Sequence, residues 1–248
     1  MALVRDAYGR SAFDVRADLV EAHSRVWERI GLPGTWWGAS ERGAIARTVR
    51  AALCDTDPLA PWVAPSTDPG RLDAEPDLDP KVQDAVYRLT LHAATLTEDW
   101  YRQVLDDTAI TPEQWVEIIE VVISVVCVDR FAEMIDAPAP AFPRPQTGEP
   151  SRVRPPARPA RHHWVPVLHV EDATDEFAMY GPSPTLVPPV VRALTLVPSA
   201  KATLDELGSA QYIPHREMVD LNWTRGPLDR RQVELVAGRL SALRECFY

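Results

Sequence analysis

The segment from Thr111 to Ile135, T-P-E-Q-W-V-E-I-I-E-V-V-I-S-V-V-C-V-D-R-F-A-E-M-I, constrains the fold more than any other part of the chain. Its valines and isoleucines favour a strand by propensity, but the run is too long for a typical strand. Its start also carries a helix signature. Thr111 can cap the helix, Pro112 suits the first helical position, and Gln114 stands three residues after Thr111, as a capping box requires. The spacing therefore predicts a helix, apolar around most of its girth and so buried.

The rest of the sequence supplies more helices. From Ala12 to Ile30 apolar residues recur at helical spacing and L-P-G ends the run; a second helix is predicted from a cap at Ser40 to Leu53. Helical periodicity returns over Lys81–Thr95 and Glu98–Leu105. Further segments are predicted from about Leu186 onward: P-P-V-V-R-A-L-T-L, S-A-K-A-T-L-D-E-L, P-H-R-E-M-V-D-L, and a terminal helix with a stripe of Val233, Val236, Leu240, Leu243 and Phe247. No strand pattern stands out, so the predicted fold class is all-α.

Prolines divide the chain. Most of the 24 lie in loops, and the stretch from residue 136 to 166 cannot form a packed helix. It is expected to be an extended connector between a helical unit at 1–135 and a second at 167–248, with Arg152, Arg154, Arg158 and Arg161 solvated.

A net charge of −10 argues against a nucleic-acid partner, which needs a basic surface to displace counterions. The most apolar run, Val121–Val128, is far below the roughly 20 residues that span a bilayer, and the N-terminus has no apolar core of a signal peptide. Three widely spaced cysteines do not make a secreted disulfide framework, so a cytoplasmic location is expected. No phosphate-binding glycine loop, G-x-S-x-G or paired-histidine motif occurs, and neither cofactor nor metal is expected. His162 and His163 are expected to be solvated and Trp36–Trp37 to pack between helices. Cys54 and Cys127 are expected to be inert, Cys127 because a thiol in an apolar helix behaves as a small hydrophobe.

The C-terminal segment L-D-R-R-Q-V-E-L-V-A-G-R-L-S-A-L-R-E-C-F-Y resembles the alkylhydroperoxidase D and carboxymuconolactone decarboxylase-like family, in which a helix with a glutamate precedes C-x-x-C and a histidine. Glu234 matches the glutamate and Cys246 the first cysteine; the second redox position would follow Tyr248. T-W-W-G-A-S-E-R-G-A-I-A and T-P-E-Q-W-V-E-I-I-E-V-V resemble a divergent first copy of the same unit. The resemblance implies two helical units, the second incomplete, in a homo-oligomeric thiol or selenol peroxidase that takes a peroxide and a thiol reductant. Catalysis would fall to Cys246 and Glu234. It also leads to the expectation that the codon after Tyr248 is a selenocysteine codon read as a stop, and that the 248-residue chain by itself lacks turnover. Two other classes stay open at this point: a non-catalytic helical binding or assembly protein, and a decarboxylase-type acid–base enzyme.

Overall fold

A computed structural model describes residues 2–55, 59–60, 63, 72–180, 187 and 189–243. Among them the fold is all-α, with two isolated β-bridges and no strand. The helices are α1 (Ala2–Tyr8), α2 (Ala17–Ile30), α3 (Ala39–Leu53), α4 (Pro80–Leu91), α5 (Glu98–Thr108), α6 (Pro112–Met134), α7 (Pro189–Arg192), α8 (Pro198–Gln211) and α9 (Arg230–Leu243).

The long apolar helix, α6, is the axis of the molecule. Its capping box is formed: Thr111 Oγ1 accepts from Gln114 N at 3.2 Å, and Gln114 Oε1 accepts from Thr111 N at 3.0 Å. The helix is enclosed by α2, α3, α4 and α8, which explains why its sequence has no polar face to give to water. Ile118, Val121, Val125 and Val128 are fully buried and join Trp27, Ile45, Val49 and Val86 in one core.

Several element boundaries differ from those predicted. Helix α1 was not foreseen, and α2 starts at Ala17 rather than Ala12. Helix α3 begins after Gly38, whose N–H donates to the Glu41 carboxylate at 2.7 Å; Ser40 lies inside the helix and is not its cap. The segment around Pro189 forms a single helical turn, and P-H-R-E-M-V-D-L contributes only a short 3₁₀ turn at His215–Glu217. Leu186 lies outside the described residues.

The proline-rich stretch is extended as predicted, but it is not a free connector. It runs back along the body as a strap. Trp27 Nε1 donates to Ala141 O at 2.8 Å while Phe142 stacks on the Trp27 ring, centroids 5.3 Å apart. Arg50 donates to Pro140 O at 2.9 Å and to both oxygens of Asp129. Farther on, Gln146, Ser151 and Arg152 donate backbone N–H groups to the carbonyls of Gly31, Gly34 and Thr35. Gly31 permits this approach, because a Cβ there would lie 2.8 Å from Pro143 Cβ. The four arginines stay exposed, as predicted, and three of them also have partners. Arg152 and Arg154 lie against the Trp36 ring, Arg154 pairs with the buried Glu113 at 2.9 Å, and Arg158 pairs with Glu171 and Asp172. Prolines stop this stretch from forming a helix, yet nothing prevents its carbonyls and apolar residues from docking.

Helix α8 packs on α2 and α6, so the residues after the strap rest on the same helices as those before it. Helix α9 is the most loosely held of the long helices. Only Val233 is buried on it, and Leu235, Val236, Leu240 and Leu243 are exposed.

Candidate functional site

Three features carry polar or binding chemistry. The first surrounds Glu234. On α9 its carboxylate pairs with Arg230 at 2.8 Å, one helical turn earlier, and accepts the Tyr212 hydroxyl. The bond from Tyr212, together with Arg230, holds the Glu234 carboxyl below the usual range; burial and the same carboxylate push the Tyr212 phenol up to about 12. At neutral pH Glu234 is therefore ionised and Tyr212 keeps its proton. Arg230 also reaches the carbonyls of Glu217, Met218 and Asp220, tying α9 to the preceding loop. Cys246 lies outside the described residues, so the two residues matched by the resemblance cannot be placed together.

The second feature is sealed in the core. Arg42 of α3 bridges two carboxylates of α6, with Nη1 2.5 Å from Glu117 Oε1 and 3.3 Å from Glu120 Oε2. Glu117 also accepts the backbone N–H of Trp36, and Glu120 accepts the Thr203 hydroxyl from α8 at 2.9 Å. All three charged side chains are almost wholly excluded from solvent. Burial raises the Glu117 pKa against the pull of Arg42, as expected where two carboxylates share one guanidinium. Gly34 makes room for the arrangement, since a Cβ there would fall 1.7 Å from Glu117 Oε1. The acidic residues at 113, 117 and 120 recur at helical spacing within an apolar helix. That pattern was the available signal, and the sequence reading passed over it. From inside the core the cluster ties α3, α6 and α8 together.

The third feature opens to solvent. A cavity of about 750 Å³ lies among α2, α3, α4, α6, α8 and α9. Leu19, Leu53, Leu91, Val126, Phe131 and Leu240 supply much of its apolar wall; Thr90, Cys127 and Gln211 supply polar atoms. Burial pushes the Cys127 thiol up to about 11, partly offset by a hydrogen bond from Gln211, so the thiol stays protonated at neutral pH. Cys127 is thus half-buried, packed against the core and lining the cavity, with a thiol that keeps its proton.

Behind that wall a polar chain enters the core. Gln211 Nε2 lies 3.1 Å from His23 Nε2, His23 Nδ1 lies 2.6 Å from Tyr8 Oη, and Tyr8 Oη lies 3.2 Å from Val128 O. One assignment satisfies every group: Gln211 donates to Nε2, neutral His23 donates from Nδ1 to Tyr8, and Tyr8 donates to the carbonyl. Burial holds the His23 pKa down at about 4, consistent with this neutral form.

The consequence for stability has a definite sign. Between about pH 4 and the ordinary histidine value near 6.5, the unfolded chain binds a proton that the folded chain refuses. The His23 contribution is therefore complete above about 6.5 and is lost as pH falls toward 4, by about 3 kcal/mol. Urea melts of wild type and His23→Gln across this range check it. The variant is expected to lose that part of the pH slope, and parallel slopes would assign the dependence to other groups.

Among the described residues, no helix is long and apolar enough to cross a membrane, and no group of three or more His, Cys, Asp or Glu side chains is placed to hold a metal ion. Compared with protein-family models, with curated proteins and with solved structures, the chain matches none of them.

Proposed function

We propose that this chain is an alkylhydroperoxidase-like protein in which Cys246 takes part in the reduction of a peroxide by a thiol or selenol pair. The support is the order of residues at its C-terminal end: a helix bearing Glu234, then C-F-Y from Cys246 to Tyr248, as in the family it resembles. The observation that carries most weight is that Glu234, on the helix that precedes that cysteine in the sequence, accepts the Tyr212 hydroxyl and is held ionised. An ionised carboxylate there is a proton acceptor at neutral pH. Glu234 and Cys246 are 12 residues apart, about 18 Å on a straight helix, so a direct relay requires the chain to bend between them.

The chemistry balances with two redox groups. A thiolate or selenolate attacks the peroxide, takes one oxygen and releases an alcohol or water. The resulting sulfenic or selenenic acid condenses with the partner thiol, releasing water and forming a disulfide or selenylsulfide. A dithiol reductant then restores the pair. By resemblance Cys246 is the resolving group of such a pair.

The test is peroxide consumption, with a dithiol reductant, by the purified protein in its natural full-length form. It should turn over, should lose activity with Cys246→Ser, and should lose part of it with Glu234→Gln. A rate indifferent to Cys246→Ser would sink the redox reading in favour of a non-catalytic binding role.

A further inference from the structure

We propose that the cavity among α2, α3, α4, α6, α8 and α9 is a binding site for an uncharged, largely apolar small molecule with one hydrogen-bonding group. Its volume of about 750 Å³ lies within the range of about 300–1,000 Å³ that holds a drug-sized ligand. Its composition also fits such an occupant, with a mostly apolar lining and a few polar atoms gathered where Cys127 and Gln211 meet. Met134 and Leu240 at this cavity are 76% and 59% exposed, so a ligand would take apolar surface away from water.

The charge of the ligand follows from the charges around it. Among the described residues two cations line the cavity, and both are already matched. Arg16 pairs with Asp18 at 3.0 Å and donates to Ala210 O; Arg130 pairs with Glu133 at 2.6 Å and faces Leu53 O. The remaining polar groups are neutral, because the Cys127 thiol keeps its proton and Thr90 and Gln211 do not ionise. An anion or cation would be desolvated here without a free counter-charge. A hydroxyl or carbonyl could instead exchange hydrogen bonds with the Gln211 amide, whose contact with His23 fixes its position. This inference concerns the cavity alone and does not depend on Cys246 chemistry.

The uncharged, polarity-sensitive dye Nile red is the probe. Titrated into the full chain, it is expected to bind saturably at one site and to be displaced by dodecanol at least ten-fold more effectively than by dodecanoate. Ala93→Trp and Ala94→Trp place indole rings at exposed cavity-lining positions and should each weaken binding at least ten-fold, with unchanged circular dichroism and melting temperature. Saturating dye should also slow N-ethylmaleimide labelling of Cys127, read peptide by peptide, without slowing that of the exposed Cys54. Cys246→Ser should bind dye as wild type does, which separates failure of this site from failure of the redox reading. Absence of saturable binding, full affinity in both folded tryptophan variants, or equal displacement by the carboxylate would each overturn the proposal.

Discussion

Arg42→Ala is expected to destabilise the protein by about 3–5 kcal/mol, enough to unfold a marginal domain at room temperature. The cause is not the value of the ion pair itself, since buried pairs often do little better than apolar replacements of equal volume. It is what the substitution leaves behind. Glu117 and Glu120 would remain in the core of α6 with no cation, and each would have to take a proton or carry water inward. Burial already raises the Glu117 pKa with Arg42 in place. The measurement is the free energy of unfolding from urea melts at neutral pH. To cover the case in which the single variant does not fold, the triple variant Arg42→Met, Glu117→Gln, Glu120→Gln is measured beside it. With all three charges gone, most of the loss should be recovered. A single-variant cost below about 1 kcal/mol, or a triple variant as unstable as the single, would show that the cluster is not held by charge balance.

Trp27→Ala should cost a similar amount, about 3–5 kcal/mol, by a different route. Trp27 has no solvent exposure, stacks on Phe142, and donates its indole N–H to Ala141 O. Removing it opens a cavity under α2 and releases the strap at its best-anchored point. The loss should therefore be uneven. Amide exchange should accelerate over residues 138–152 well before it does in α6. Trp27→Phe keeps a ring to stack but leaves the Ala141 carbonyl without its donor, and should cost about 1–3 kcal/mol. Uniform acceleration across both segments would mean that the strap has no separate opening and is part of the core.

The all-α class and the buried axial helix could be read from sequence because they rest on local physics. The capping box at Thr111–Gln114 and the absence of a polar face on α6 are properties of consecutive residues, and both reappear in the structure. The extended character of the proline-rich stretch was legible for the same reason, since proline forbids the helix wherever it stands. The position of Glu234 on a helix could also be read.

What the tertiary structure decided depends on residues far apart in the chain. The pairing of Arg42 with Glu117 and Glu120 spans 75 and 78 positions, and no local pattern says which cation will meet those carboxylates. The docking of the strap rests on contacts such as Trp27 with Ala141, 114 positions apart, so composition predicted an extended, exposed chain but not the points at which it docks. The cavity is built from six helices, and Cys127 lines it because of where α2, α3, α4, α8 and α9 happen to lie around α6. Periodicity reports which face of a helix turns inward. It carries no record of how closely the facing helices meet, and a cavity is the space left where they do not.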